Sequence, residues 1–190
     1  MSIVMTNSAR FKHVVFALSL VTGAWPVSAQ EFEAFHLKSG MTAEQVQKAL
    51  PSTYELRWDK QQRVPGFATG VVAKPLSDLS GDDSDIYAMA SFCNGRLVTV
   101  SRNIDADTEF APYLEKWLRD FGQPKVGVRT EPWTGPGGGE VVTVEFDWVH
   151  DGVKYMLMLT PEGRSGTGEL RVSRGASVIF TLEKYSCLKK

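Results

Sequence analysis

The chain has 190 residues, with 21 Lys and Arg against 22 Asp and Glu, three His and two Cys. That near-neutral balance offers no basic surplus for a nucleic-acid backbone, and the length suits one ordinary domain with a core large enough to be stable alone. No stretch after residue 29 is long and apolar enough to span a bilayer as a helix.

Residues 1–29 read as a cleavable secretory signal. Arg10, Lys12 and His13 form a basic n-region, Val14 to Trp25 an apolar h-region, and Val27-Ser28-Ala29 a small-residue cleavage site. Cleavage after Ala29 would leave a mature chain, Gln30 to Lys190, expected to be periplasmic or secreted and to form a single domain. In that compartment the even cysteine count points to a disulfide between Cys93 and Cys187. Their spacing excludes a C-x-x-C redox pair, and zinc lacks neighbouring His ligands.

Phe32 and Phe35 belong to a polar-aromatic lead-in. The first helix has its boundaries written in: Thr42 and Gln45 have the spacing of a capping box, Met41 and Val46 that of a hydrophobic staple, and Pro51 bars continuation. Tyr54, Leu56 and Trp58 then alternate with charged residues as in a half-buried strand, a turn at Lys60 to Gln62 follows, and Val64 to Ala73 reads as an irregular or edge strand. Leu76 to Asp85 is an acidic loop. Its Asp78, Asp82, Asp83 and Asp85 are weak candidates for calcium, because the spacing is not that of a calcium-binding helix-loop-helix.

Asn94-Gly95 between two apolar alternations, 86–92 and 96–102, is a strong hairpin signal. A second helix starts at Asp107 or Thr108 and buries Phe110, Tyr113, Leu114, Trp117, Leu118 and Phe121 along one stripe, with Gly122 and Pro124 as its stop. Beyond it come a short strand at 126–129, a Gly-Pro loop at 133–139 and a strand at 142–148. The Gly run of that loop lacks the Gly-Lys-Ser/Thr and the helix of a phosphate loop. A turn at His150-Asp151-Gly152 leads to a strand at 153–159, and a final long strand, 170–182, has Gly175 as a bend near its middle.

Element order therefore predicts an α+β fold of two repeats, about 30–105 and 106–190, each a short helix followed by antiparallel strands, with the helices packed on one face of the sheet. At Gly40-Met41-Thr42-Ala43-Glu44-Gln45-Val46 the chain resembles the small periplasmic modules typified by the BamE-like (SmpA/OmlA) proteins and the β-lactamase-inhibitor proteins. In these a G-M-T-x-x-x-V helix leads to G-x-P and a small antiparallel sheet. Here the first half ends in Leu50-Pro51 without the Gly, whereas the second half lacks G-M-T but has Gly122-Gln123-Pro124. The resemblance implies a tandem two-repeat relative that presents a sheet surface to a protein partner in the bacterial envelope.

No G-x-S-x-G or H-E-x-x-H motif is present, and after residue 29 the only histidines are His36 and His150. Glu145 and Asp147 have the look of the wet side of a strand rather than a glycosidase pair. The expectation is a non-enzymatic binding module without cofactor, of inhibitor or scaffold type. Its predicted binding face is the strand parity left over when the core is assigned: Glu55, Arg57, Tyr87, Met89, Glu145, Asp147, Lys154, Met156, Met158, Arg171 and Ser173. The alternative is a small-ligand carrier or exported hydrolase that binds glycan, peptidoglycan fragment or calcium through the acidic loop and Trp58, Trp133 and Trp148.

Overall fold

A computed structural model describes residues 31–58, 66–74, 86–132, 140–164, 170–172, 174–184 and 187. The predicted signal sequence at 1–29, the predicted turn at Lys60 to Gln62, Asp78, Asp82, Asp83, Asp85, the predicted Gly-Pro loop with Trp133, and Ser173 lie outside these residues.

The lead-in is a hairpin of two short strands, β1 (Glu33–Ala34) and β2 (Leu37–Lys38), closed by a Glu33–Lys38 ion pair of 3.0 Å. Its turn holds two non-glycine residues at positive φ, Phe35 at 55° and His36 at 67°. For a bulky side chain this conformation is strained. Tertiary packing holds it: the Phe35 ring lies edge-on to Phe180 and to Tyr87, and the Arg102 guanidinium sits 5.2 Å from its centroid.

Helix α1 (Ala43–Ala49) has the expected capping box, with the Thr42 hydroxyl accepting from the Gln45 amide and the Thr42 amide donating to Gln45 Oε1 at 2.8 Å. Just before it, the Gly40 amide donates to the Leu97 carbonyl and the Leu97 amide to the Met41 carbonyl, both at 2.8 Å. The Gln47 side chain donates to the Tyr54 carbonyl and accepts from the Leu56 amide. Both ends of α1 are thereby tied to the sheet.

The strands are β3 (Glu55–Trp58), β4 (Phe67–Ala73), β5 (Ile86–Cys93), β6 (Arg96–Ile104), β7 (Lys125–Pro132), β8 (Glu140–His150), β9 (Val153–Thr160), β10 (Gly163–Arg164), β11 (Leu170–Val172) and β12 (Gly175–Leu182), with α2 (Phe110–Phe121) between β6 and β7. Eight of them form one antiparallel sheet in the order β3-β4-β5-β6-β12-β9-β8-β7, and β10 and β11 pair separately. The two predicted tight hairpins form: Asn94-Gly95 and Asp151-Gly152 both have positive φ at each residue, the twist that two-residue hairpins need.

The predicted α+β arrangement of two helix-plus-strand repeats is corrected by this architecture. The chain is mostly β, with two helices of seven and twelve residues set on a single sheet. Its centre is the β6–β12 ladder, which runs from Ala176 opposite Ile104 to Thr181 opposite Thr99. The predicted final strand 170–182 is also two strands, since β11 leaves the main sheet to pair with β10.

One sheet face carries the core. Val72, Ala88, Ala90, Val100, Val178, Phe180, Leu157 and Trp148 bury there beneath Val46 of α1, Leu50 at its C-cap and Trp117 of α2. Cys93 at the end of β5 is disulfide-bonded to Cys187, with a Cα separation of 6.0 Å. Helix α2 starts at Phe110 and not at Asp107 or Thr108, and Asp105 holds the turn before it: its carboxylate accepts from the Asp107 and Thr108 amides, at 2.9 and 2.7 Å, while its own amide donates to Glu109. These bonds favour the ionised form and lower the Asp105 pKa below the ordinary carboxylate value. A depressed folded-state pKa adds stability that is present above the unfolded value of 3.8 and is lost as pH falls through the folded one. Asp105→Asn keeps an acceptor without the titration. We expect its melting temperature to fall less than that of the wild type between pH 5 and pH 2; parallel slopes in a calorimetric pH series would refute the linkage.

Candidate functional site

Residues whose side chains point away from the core keep partial or full exposure along most of the sheet. The register lines them up. One transverse row crosses all eight strands: Arg57, Val71, Met89, Ser101, Ile179, Met156, Asp147 and Lys125 are successive cross-strand neighbours. With strands about 4.8 Å apart, the row is roughly 34 Å long. A second, shorter row is hydroxylated: Thr69, Ser91, Thr99 and Thr181, then Lys154 and Val149. Thr69 pairs with Ser91 at 3.3 Å, and Thr99 donates to Thr181 at 3.2 Å.

Eight predicted face residues come together here. Arg57, Met89, Met156 and Asp147 lie on the long row, Lys154 and Met158 flank Met156 along β9, Glu145 opposes Met158, and Glu55 shares the face of Arg57 on β3. Met89 is 46% exposed. Ion pairs rim the apolar middle: Arg57 with Glu55, Lys154 with Asp147 at 2.8 Å, and Arg129 with Glu145 at 3.2 Å. Asp147 Oδ1 is buried without a hydrogen-bond partner among the described residues. Beyond Met158 the face ends in a recess of about 340 Å³ lined by residues that include Asn103, Thr160 and Ser177.

Two predicted face residues lie elsewhere. Tyr87 belongs to the core side, against Tyr54 at 4.8 Å and beneath the Arg102 guanidinium. The register shifts between Val72 and Ala73, so that Ala88 opposes Val72 but Ile86 opposes Ala73; the extra residue turns Tyr87 over. Arg171 sits on β11, in the small β10–β11 pair outside the eight-stranded sheet. Conversely, Val71 and Ile179 belong to the face and escaped the sequence reading. The parity that buries Val178 and Phe180 already implied Ile179, whereas Val71 lay in a strand broken by Pro65, Gly66 and Gly70.

Of the groups named for the ligand-binding alternative, the acidic loop and Trp133 lie outside the described residues, and the two tryptophans that are described lie apart. Trp148 is buried, donates to the Gly122 carbonyl at 2.8 Å and packs on Trp117, while Trp58 lies at the opposite edge of the sheet on β3. No group of three or more metal-ligating side chains occurs among the described residues. Shifted titrations there also lie off this face. Glu33 raises the Lys38 pKa, Lys116 lowers that of Asp120, and burial raises the phenols of Tyr113 and Tyr155 in the core. No described helix is long and apolar enough to cross a membrane. Set against known proteins, the chain matches no protein-family model, and no curated protein or solved structure matches it.

Proposed function

We propose that this is an exported, non-enzymatic protein-binding module that uses the face built around Met89, Ile179 and Met156 to hold a partner protein of the bacterial envelope, as an inhibitor or scaffold. The observation that carries this reading is the continuous row across eight strands, apolar in its middle and charged at its rim. Methionines adapt to a partner's contour, and an apolar centre inside a polar rim is the usual anatomy of a protein interface. A solvent-facing ion pair such as Arg57–Glu55 contributes little to folding, so a partner exchanges it at small cost. The disulfide and the basic-apolar-small leader support export.

The test is affinity capture from an envelope extract by the oxidised protein, by Met89→Asp/Met156→Asp, and by the control Lys48→Asp/Arg119→Asp. We expect a protein recovered by the wild type and the control and lost with the methionine pair, at unchanged far-ultraviolet circular dichroism. Equal recovery by all three, or none by any, refutes the reading.

A further inference from the structure

Independently of that face, we infer that the β7 edge joins a second copy of this chain, pairing antiparallel to its own symmetry mate about a two-fold axis through Val128 and so continuing the sheet from one protomer into the next. Among the described residues β7 is the outermost strand on its side, eight residues long and paired only on its β8 side. It carries apolar side chains in the open. Val126 is 56% exposed and Val128 68%, and Val142 beside them on β8 is 41% exposed. All three have the same parity as Val144 and Phe146, on the helix side of the sheet. The aromatic contacts of α2 with the sheet fall on Phe146, Trp148, His150, Tyr155 and Phe180, that is on β8, β9 and β12, and stop one strand short of β7. An edge strand with its backbone groups unpaired and a valine strip uncovered is a template for strand addition.

The charges of β7 select the occupant and the register. In an antiparallel pair, opposed residues share a sheet face, so a strand facing its own copy pairs residues whose numbers sum to an even value. Centred on Val128, Lys125 opposes Glu131 and Glu131 opposes Lys125, Val126 opposes Thr130, Gly127 leaves room for Arg129, and Val128 meets Val128 on the axis. Shifting the centre to Gly127 sets Lys125 against Arg129, and shifting it to Arg129 sets that arginine against itself. Like charges directly opposite disfavour both shifts. Pro124 and Pro132, lacking amide donors, lie four residues either side of Val128 and bound the ladder symmetrically. The dimer is isologous and closed.

Sedimentation equilibrium of the oxidised protein tests this. We expect a concentration-dependent dimer, weakened roughly tenfold by Lys125→Glu and by Glu131→Lys separately and restored to near wild-type affinity by the two together. Val128→Lys, which places like charges on the axis, should give a monomer. All three positions are exposed, and circular dichroism checks that folding is intact. A wild-type protein that stays monomeric at millimolar concentration overturns the inference, as does a dimer indifferent to the single reversals or one that the double reversal fails to restore.

Discussion

Trp117→Ala is expected to destabilise the protein by about 3–5 kcal/mol, the range for emptying a fully buried indole site. Trp117 is the buried residue of α2, and its ring lies edge-on to four others: Tyr113, Trp148, Tyr155 and Phe180, with centroids 5.5–5.6 Å away. Those partners come from α2, β8, β9 and β12, so one side chain joins the helix to three adjacent strands. The site cannot collapse readily. Phe110 against Phe146 and Phe121 against Tyr155, at 5.9 and 4.5 Å, hold the helix ends where they are. Urea unfolding followed by far-ultraviolet circular dichroism measures the loss. Arg119→Ala, on the exposed side of the same helix, should change stability by less than about 0.5 kcal/mol. A Trp117→Ala loss below about 1 kcal/mol would mean that α2 is not held by this cluster.

The second large effect concerns the disulfide. Cys93 and Cys187 are 94 residues apart, and in the chain-entropy picture opening so long a loop costs about 4–5 kcal/mol. The bridge joins the end of β5 to the segment just past β12, the strand that pairs with both β6 and β9 at the middle of the sheet. Its removal therefore frees the chain end next to the strand on which the sheet closes. Cys93→Ala/Cys187→Ala avoids leaving a thiol in the buried Cys93 position. We expect its urea midpoint to fall toward that of the reduced wild type, with the oxidised wild type well above both. If oxidised and reduced wild-type protein unfold at the same midpoint, the bridge does not constrain the unfolded chain.

The wild-type oligomer bears on how the binding face is used. Joining two protomers through β7 would set two copies of the Met89–Ile179–Met156 row on one continuous sheet, and a bivalent partner would gain effective concentration from it. Variants of Val128 and of Met89 with Met156 separate the two surfaces, because they lie on opposite sheet faces and on different strands.

Local chemistry made much of this legible. The capping box at Thr42 and Gln45, the Asn94-Gly95 and Asp151-Gly152 hairpins, the end of α2 at Gly122 and the buried parities of β9, β12 and the Val144–Trp148 part of β8 are present as read, whereas Val142 at the start of that parity is exposed. Each depends on atoms within a few residues: a hydroxyl reaching an amide three positions on, a left-handed turn, or the period of two along a strand. From that parity alone Arg57, Met89, Lys154, Met156 and Met158 were assigned to one face. Tertiary structure decided the rest. The β6–β12 ladder joins residues such as Ala176 and Ile104, whose pairing has no local signature, and it makes one sheet where two repeats were expected. A single extra residue near Ala73 turned Tyr87 inward, because a bulge reverses parity without a marker of its own. The departure of β11 to pair with β10 removed Arg171 from the face. The left-handed Phe35-His36 turn exists because aromatic packing on Phe180 and Tyr87 offsets a conformation that those residues avoid in isolation.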